Sequence, residues 1–523
     1  MDESGLALSG RADALDQLER RAFDLLVIGG GIVGAGIAAQ AARTGLAVAL
    51  VERGDFGGAT SSGSSKLIHG GLRYLRMGDV RLVREAHQER RALLRVVAPH
   101  LVRRLPFLLP LYREGPFRPR TIRVGLALYS LLAGDKLGGL VKPERALRSV
   151  PDLRRDGLRG CGIYKDAWTN DARLCLANVR AAAGAGATVL NYAEVSALRI
   201  AGGRVAGAEV LDRETGEVAS VAARAVVNAT GPWVDRVRRL EAPGVSASYQ
   251  LSKGVHVLVP QPEGWSAALT IPQDKVRISF AVPWAGMLLL GTTDDPYEGD
   301  PDELRPTGAD VAQVLSEAGL ALDPELVAAD RVRFAFAALR VLPGGGTETA
   351  RARRETVIDR GPAGMLSIAG GKLTTYRRIA LDALEHLRAD LGLHRLDRRP
   401  WPLPGATGLD RVALPADLPP AVRSHLLELY GSLAEEVLSP AADDPSLLEP
   451  LDPGAPELQA QALYAATHEW ARTPEDVLRR RTTLTLRGLA TPQVEAAVRE
   501  LIEAAGRQPS RVSSSESADG ALM

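Results

Sequence analysis

Cysteine and lysine are scarce in this chain of 523 residues. The two cysteines, Cys161 and Cys175, lack the spacing of metal ligands. We therefore expect small apolar side chains in a reducing compartment, with neither a disulfide nor a metal site. Seven of the 64 basic residues are lysines, and the rest are arginines. We interpret this bias as genome composition first, and as functional only where several arginines converge.

An excess of one charge and long apolar runs are also missing. The formal net charge is +1, which gives no general case for nucleic-acid binding. Residues 1–20 contain no apolar stretch of the signal-peptide type, and no run reaches the roughly 18 apolar residues that a membrane-spanning helix needs. We therefore expect a cytoplasmic protein, or one that lies on a membrane surface.

The chain does contain enough apolar residues for large cores, 46% of the sequence. Its length is too great for one ordinary core, so two or three domains are expected. After about residue 402, proline-rich linkage gives way to helical patterns, which predict a helical C-terminal domain. The serine-rich tail from Arg507 to Met523 is expected to be disordered.

The most informative stretch begins with an apolar run, breaks into glycines, continues as an alanine-rich segment and ends in a second apolar run closed by Glu52. This order predicts the βαβ unit that binds dinucleotides. Gly29 permits the tight turn, Gly31 lets the backbone approach a pyrophosphate, and Gly34 lets the helix pack close to the sheet. Glu52 suits ribose hydroxyls and would repel a 2′-phosphate. The unit alone leaves FAD and NAD open, and the alternative is a glycine-rich turn without a ligand.

Small and hydroxyl residues dominate the segment 54–66, and Lys, His, Arg and Tyr follow it. Such a segment suits a backbone that wraps closely around a flat ligand, whereas the alternative is a flexible linker. Later, Ala229-Thr230-Gly231 ends an apolar strand after a small antiparallel meander, which is typical of two-dinucleotide-fold flavoproteins. The segment 365–377 repeats the order strand, glycines, helix, and so predicts a second helix N-terminus aimed at a ligand.

An apolar segment, Val124–Leu132, lies between arginines and lysines. Apolar residues in a basic frame favour an interfacial contact with anionic lipid. A buried helix with a basic rim is the alternative.

Several motifs together resemble the FAD-dependent glycerol-3-phosphate dehydrogenases of the bacterial aerobic and mitochondrial type. They cover nearly the whole chain: Ile28-Gly29-Gly30-Gly31 through Gly45, Thr60-Ser61-Ser62 through Leu75, Asp171-Ala172-Arg173-Leu174, Asn228 through Trp233, Gly291-Thr292-Thr293-Asp294, Gly370 through Arg377, Glu469-Trp470-Ala471 and Arg480-Arg481-Thr482. The resemblance implies FAD, oxidation of sn-glycerol 3-phosphate to dihydroxyacetone phosphate, and electron delivery to quinone at the inner face of the cytoplasmic membrane. A homodimer is a further expectation.

We predict a mixed α/β fold, a two-dinucleotide-fold FAD-binding flavoprotein with an antiparallel-sheet substrate domain and a helical C-terminal cap domain. The expected boundaries are a flexible N-terminus over 1–20, a discontinuous FAD-binding domain over 21–78, 160–235 and 345–395, a substrate and membrane-contact region over 79–159 and 236–344, a helical domain over 396–506, and a disordered tail over 507–523.

The expected site follows from these motifs. Cofactor contacts are predicted at Gly29, Gly31, Gly34, Glu52, Thr60, Ser61, Ser62, Ser65, Lys66, Leu67, His69, Gly70, Gly71, Ala229, Thr230, Gly231, Gly370, Gly371, Lys372, Leu373 and Thr374. Substrate contacts are predicted at Arg73, Tyr74, His256, Arg277, Arg340 and Arg354. Among these, Arg73 and Tyr74 suit the phosphate, because a guanidinium binds it bidentately.

Two residues are expected to act in the reaction. A secondary alcohol becomes a ketone when hydride leaves its carbon and a base takes the hydroxyl proton. His256, beside Gly254, is the predicted base or hydrogen-bond partner of the alcohol, and the alternative is a satisfied core histidine. Arg340 matches the family's substrate-side arginine, which would hold the oxygen where charge develops.

The chain departs from the family at two places. Phe336 and Ala338 stand where the family's Tyr-x-Gly-x-Arg-Pro has tyrosine and glycine, and Gln40 and Thr44 replace Asp and Arg in the first signature. The first departure leaves the substrate open. Two other readings are a related FAD-dependent oxidase of an amine or hydroxy acid that uses oxygen, and a FAD-binding paralogue without turnover.

Overall fold

A computed structural model describes residues 10–72, 75, 78–135, 138–275, 277–343 and 356–507. The first sheet brings together strands from both halves of the chain, in the order β17, β18, β10, β1, β2, β7, with β9 and β8 joined to β10. Its strands are β1 Ala22–Ile28, β2 Val48–Val51, β7 Thr188–Leu190, β8 Ala193–Ala201, β9 Arg204–Asp212, β10 Val218–Asn228, β17 Val357–Arg360 and β18 Leu366–Ala369.

The central strands of this sheet run parallel: β10 and β2 flank β1, and β18 and β7 lie outside them. Parallel strands buried on both faces need continuous apolar runs, which Leu25–Ile28 and Val48–Val51 supply. Strands β8 and β9 form the antiparallel meander expected from the sequence and lead into β10.

The second sheet is mostly antiparallel, in the order β15, β11, β14, β13, β12, β4, β6, β3, with β16 joined to β11 and β5 to β6. Its strands are β3 Leu67–Ile68, β4 Val102–Tyr112, β5 Gly139–Val141, β6 Leu158–Thr169, β11 Tyr249–Pro260, β12 Ala268–Pro272, β13 Ile278–Trp284, β14 Met287–Gly291, β15 Asp295–Tyr297 and β16 Phe334–Pro343.

The helices preceding the C-terminal region are α1 Arg11–Arg20, α2 Ile32–Ala42, α3 Val80–Ala92, α4 Pro119–Ala133, α5 Pro143–Ser149, α6 Asp171–Gly184, α7 Val234–Glu241, α8 Gly308–Gly319, α9 Tyr376–His386 and α10 Arg388–Leu391. Helix α2 is made almost entirely of small or aliphatic residues, so it can lie buried against α6 and α9. At Gly36 a Cβ would lie 2.9 Å from the Tyr376 ring, which explains why a glycine is needed at this helix crossing.

The C-terminal region is helical, with α11 Pro420–Tyr430, α12 Ala434–Leu438, α13 Gln459–His468, α14 Pro474–Asp476, α15 Leu484–Arg487 and α16 Pro492–Arg507. It is attached to the part built on the first sheet by buried ion pairs: Arg173 of α6 donates to Glu469 at 2.6 Å, and Arg480 and Arg481 both bind Asp55, in the segment after β2. Because these charges are buried and paired, removing one partner by substitution would leave an unpaired ion in the interface.

Two expected boundaries are corrected. Residues 11–20 are helical, because Ala14 and Leu18 are buried and Arg11 binds Asp212, whereas a flexible N-terminus was expected over 1–20. The segment from 160 to Thr169 pairs with β4 and so belongs to the second sheet, outside the FAD-binding part. The expected tail from 508 onwards lies outside the described residues. No helix among the described residues is long and apolar enough to cross a bilayer.

Candidate active site

The first glycine turn connects β1 to α2. Gly29 has φ +107°, and its N–H donates to Val51 of the neighbouring strand at 2.8 Å. A Cβ on Gly34 would lie 1.9 Å from the carbonyl oxygen of Gly29, so only glycine lets the helix begin this close to the turn. The hydroxyl of Ser61 accepts the N–H of Ile32 at 2.9 Å, which ties the hydroxyl-rich segment to the helix N-terminus.

Glu52 lies directly after β2, at the end of the turn. Its carboxylate accepts N–H donors from Gly30 at 2.7 Å and Gly54 at 2.9 Å. Burial raises the pKa of Glu52, and these two backbone donors oppose that effect. Each carboxylate oxygen has a second lone pair beyond the one used here, so the side chain can still accept from ribose hydroxyls.

The hydroxyl-rich segment packs against β16. Thr60 donates to the carbonyl oxygen of Leu339 at 2.7 Å. A Cβ on Gly63 would lie 2.7 Å from the methyl of Ala338, so Gly63 leaves room for that methyl group. Ala338 replaces the family's glycine, and the missing side chain of Gly63 makes room for its methyl group.

The second glycine turn follows β18. Gly370 and Gly371 have φ +75° and +103°, and a short 3₁₀ turn, Leu373–Thr375, leads into α9. The Thr374 hydroxyl accepts the N–H of His69 at 3.1 Å and donates to its carbonyl at 3.3 Å. The second turn is therefore fastened to the segment that continues from the first.

One cavity of about 750 Å³ is bounded by both glycine turns and extends to the second sheet. Its volume falls within the range of about 300–1,000 Å³ that is usual for ligand pockets. The predicted residues that line it are Gly29, Gly31, Glu52, Thr60, Ser61, Ser65, Leu67, His69, Ala229, Thr230, Gly231, His256, Arg340, Gly370, Gly371, Lys372, Leu373 and Thr374. An acid for ribose, a helix N-terminus for pyrophosphate and a long cavity suit FAD.

Some predicted cofactor residues lie behind this wall. Gly34 serves helix packing, and Ser62 is buried with its hydroxyl 3.4 Å from the Ala59 carbonyl. A Cβ on Gly70 would lie 2.1 Å from the His87 ring, so this glycine permits a packing contact. Gly71, with φ +75°, and Lys66 likewise stand outside the cavity wall.

Lys66 is buried and binds Asp171, the first residue of α6. Burial lowers the pKa of Lys66, whereas Asp171 opposes that effect. Asp171 also accepts from the N–H and hydroxyl of Ser64 at 3.1 and 2.7 Å. The ion pair therefore sets the path of the backbone between Ser64 and Lys66.

His256 lies on β11, with 3% of its surface exposed, and lines the cavity. Its Nε2 is 2.8 Å from the hydroxyl of Ser65, and its ring stacks on Phe336 with centroids 5.0 Å apart. Burial, followed by the charges of Arg340 and Lys66, lowers the pKa of His256 well below its usual value. The imidazole is therefore neutral.

Arg340 lies on β16 opposite Ser252 of β11. Its Nη2 donates to the Thr292 hydroxyl at 2.8 Å and to the Thr293 carbonyl at 3.1 Å, and its Nη1 lies 3.2 Å from Asp294 Oδ1. These contacts fix the guanidinium at the cavity wall.

A Cβ on Gly254 would lie 2.5 Å from Arg340 Nη2. Gly254 is therefore necessary for the observed position of Arg340, which lies close to His256 along the same strand pair.

Arg277 is not brought to the cavity. It lies in the turn between β12 and β13 and donates to Glu317 of α8 at 2.7 Å, and it is not among the residues that line the cavity. Its predicted substrate contact is thus corrected. Arg73, Tyr74 and Arg354 lie outside the described residues.

Sequence reasoning missed several residues of the site. Thr292, Thr293 and Asp294 position Arg340, and Asp171 positions the hydroxyl-rich segment. Arg480 lines the cavity from the C-terminal region. Each belongs to a motif that carried the family resemblance, which was the available signal, although no spacing rule indicated what any of them contacts.

Two glycine turns that open helices onto one long cavity define a flavoprotein of the two-dinucleotide-fold class. Residues 24–377 match the family described as FAD dependent oxidoreductase, and residues 399–510 match the C-terminal domain of alpha-glycerophosphate oxidase. The chain belongs to this FAD-dependent oxidoreductase family. The predicted fold class, family resemblance and FAD cofactor are confirmed.

Curated relatives cover most of the chain. Glycerol-3-phosphate dehydrogenase 2 of Mycobacterium tuberculosis is 39% identical over 504 residues, which are 92% of this chain and 84% of the relative. The mitochondrial glycerol-3-phosphate dehydrogenase of Homo sapiens is 36% identical over 525 residues, 93% of this chain and 70% of the relative. The crystal structure of glycerol-3-phosphate dehydrogenase from Bacillus halodurans, complexed with FAD, has a TM-score of 0.76 at 30% identity, covering 95% of this chain and 93% of that one.

Proposed function

We propose that this protein oxidises sn-glycerol 3-phosphate to dihydroxyacetone phosphate with FAD as the hydride acceptor. The supporting observation is the cavity that runs without interruption from Glu52 to His256 and Arg340. It allows a cofactor bound at the glycine turns to reach an alcohol held by these two side chains. The relatives named as glycerol-3-phosphate dehydrogenases support the choice of substrate.

His256 is the proposed base. Its neutral imidazole has a ring nitrogen with a lone pair, which can take the hydroxyl proton as the alcohol is oxidised. The Ser65 hydroxyl, 2.8 Å from Nε2, holds the ring in place. Bound FAD supplies the acceptor for the hydride that leaves the carbon.

Arg340 is proposed to stabilise the developing negative charge on the alcohol oxygen. A positive group fixed before the reaction needs no reorganisation as charge appears, which is the basis of electrostatic catalysis. Thr292 and Thr293 provide that fixation. Arg73, Tyr74 and Arg354 remain the proposed contacts of the phosphate group.

We also propose that the protein binds a membrane surface and passes its electrons to quinone there. Helix α4 supports this, because one face packs into the core through Ile122, Leu126 and Tyr129 while the other exposes Val124 at 70% and Leu131 at 68%. The exposed basic residues on this helix and in the segments that flank it in the sequence are Arg113, Arg118, Arg120, Arg123 and Lys142. An apolar face within a basic frame suits anionic lipid at the inner face of the cytoplasmic membrane. A homodimer stays a prediction.

Anaerobic titration of the yellow holoenzyme tests the reaction. Glycerol 3-phosphate should bleach the flavin absorbance near 450 nm, as expected for about two electrons per flavin, whereas glycerol, which lacks the phosphate, should not. Bleaching by an amine or a hydroxy acid instead would favour the related oxidase. A yellow protein that no candidate substrate bleaches would favour a FAD-binding protein without turnover. Reoxidation by a soluble quinone under nitrogen, compared with reoxidation by air, identifies the acceptor.

A further inference from the structure

A single carboxylate connects three side chains at the end of the cavity away from His256. Asp302 lies in the short turn Pro301–Glu303, after the second sheet's β15. It accepts from Trp233 Nε1 at 2.9 Å and from Arg236 Nη1 at 2.9 Å, and it forms an ion pair with Arg53. These partners come from two parts of the first sheet, so Asp302 joins the two sheets.

The three partners of Asp302 form part of the cavity wall. Arg53, Trp233 and Arg236 all line the cavity, whereas Asp302 stands behind them. Arg53 directly follows Glu52, the acid placed for ribose. In a dinucleotide fold this acid marks the adenosine half of the cofactor. The residues that Asp302 holds are therefore at the adenosine end.

These side chains also contact one another. The Arg53 guanidinium lies 4.2 Å from the centre of the Trp233 ring, within the range of a cation–π contact. Arg236 extends the set, because its Nη2 donates to Asp300 at 3.1 Å. One exposed ion pair contributes little to stability by itself. A carboxylate shared by three donors forms a network in which each side chain restrains the positions of the others.

Asp302 remains charged over the range in which the protein works. The hydrogen bond from Arg53, assisted by that from Arg236, lowers the pKa of Asp302 to about 2. The contact is therefore unaffected by pH near neutrality. It responds instead to ionic strength, because 38% of the carboxylate side chain is exposed to solvent.

We propose that Asp302 is a positioning residue that holds Arg53 and Trp233 against the adenosine end of FAD and so limits the rate of FAD release. Without the carboxylate, the indole N–H and the Arg53 guanidinium lose their shared acceptor. Both side chains can then move away from the cavity. The inference rests on FAD binding and not on the identity of the substrate, so it stands or fails independently of the proposed reaction.

FAD release from the holoenzyme tests this inference, with Asp302→Asn as the variant. The matched control is Glu303→Gln, which removes the same charge from the adjacent residue; Glu303 makes no side-chain hydrogen bond within the described part of the chain. Diluted holoenzyme is filtered at intervals, and the free FAD in the filtrate is measured. We expect release from Asp302→Asn about 5- to 10-fold faster, the loss expected for shared charge-assisted hydrogen bonds, with the control within about twofold of the parent.

Two further readings separate cofactor retention from a general structural role. Raising the salt concentration should speed FAD release from the parent more than from Asp302→Asn, because the variant lacks the screened ion pairs. The thermal midpoint measured in saturating FAD should fall by no more than the loss of about 1–1.4 kcal/mol that 5- to 10-fold weaker FAD binding itself causes. Equal release rates in Asp302→Asn and Glu303→Gln, or a midpoint that falls by more than the weaker FAD binding accounts for, would overturn the proposal. If Asp302→Asn does not fold, Trp233→Phe replaces it, because it removes the indole N–H that Asp302 binds, and parental release from that variant overturns the proposal equally.

Discussion

The hydroxyl of Ser65 lies 2.8 Å from Nε2 of His256, although the two residues are 191 positions apart. This contact joins the hydroxyl-rich segment of the first sheet's turn to the second sheet. It also fixes the orientation of a histidine that burial keeps neutral. The proposed base is thus oriented by a residue of the predicted cofactor segment, so cofactor and substrate sites share one hydrogen-bonded wall.

Arg340→Met should retain FAD and lose reduction by substrate. The methionine keeps most of the volume but removes the charge placed for the alcohol oxygen, so we expect kcat to fall by about 10²–10³-fold, as when a preorganised donor is removed. The measurement is the rate of flavin bleaching in a stopped-flow instrument under nitrogen. Arg331→Met, an exposed arginine before the same strand, is the control. Parental bleaching in Arg340→Met would remove this arginine from the mechanism.

Gly254→Ala should displace Arg340 without disturbing the cofactor. The new Cβ would lie 2.5 Å from Arg340 Nη2 and 2.6 Å from the Thr292 hydroxyl, distances that require the guanidinium to move. A displacement of about 1 Å at a reacting group can cost about 10²-fold in rate. Steady-state kinetics should therefore show a lower kcat/KM with unchanged flavin content. Gly308→Ala, at the start of α8 with open space around its Cα, should leave both unchanged.

The parts of the fold that sequence could predict are those with local signals. The turn after β1 needs glycines at fixed spacing, so Gly29, Gly31 and Glu52 were predicted from local requirements alone. The helix Asp171–Gly184 also has a local signal: its N-cap, Asn170, is a residue type that caps helices, and its side chain accepts the N–H of Arg173 at 3.1 Å. These features depend on neighbours in the chain, which the sequence displays directly.

Contacts between distant segments could not be predicted in the same way. Arg277 was expected to add positive charge at the substrate, but its partner Glu317 is 40 positions away and holds it elsewhere. No local pattern in the sequence indicated the contacts of Asp302, because its three donors are distributed over more than 180 positions of the chain. A charged residue shows its sign in the sequence, whereas its partner depends on the tertiary fold.

Acid should destabilise the protein below about pH 6.5. Burial lowers the pKa of His87 to about 3 and that of His100 to about 3. Below pH 6.5 the unfolded chain binds protons that the folded state does not, so stability is full above that pH and falls as the pH decreases towards 3. Between pH 7 and 5 each histidine accounts for about 2 kcal/mol of the loss. His87→Leu should reduce the shift in thermal midpoint between these two pH values, and an unchanged shift would contradict this assignment.

Asp171→Asn should be more destabilising than Lys66→Met. In Asp171→Asn, a buried ammonium would remain with the Ser62 carbonyl as its hydrogen-bond acceptor at 3.3 Å, and removing one partner of a buried ion pair costs about 3–5 kcal/mol. In Lys66→Met, the Asp171 carboxylate keeps its donors from Ser64 and the N–H of Ala172. Thermal unfolding of both variants, followed by flavin fluorescence, gives the order. The reverse order would show that the carboxylate depends on Lys66 more than on these donors.

The exposed face of α4 should determine binding to anionic lipid. Val124 and Leu131 are 70% and 68% exposed, so Val124→Ser/Leu131→Ser changes the surface without opening the core beneath it. The partition coefficient between vesicles and water should fall by at least about tenfold. Full insertion of one such aliphatic side chain into the lipid is favourable by about 1.5–3 kcal/mol. Sedimentation with vesicles of phosphatidylglycerol and phosphatidylcholine measures this, and Ile200→Ser/Val218→Ser, two exposed residues of the distant meander, is the matched control. Flavin bleaching by substrate in solution should be the same in both double variants, because none of the four residues lines the cavity. Equal sedimentation of the two double variants with the vesicles would exclude α4 as the lipid contact.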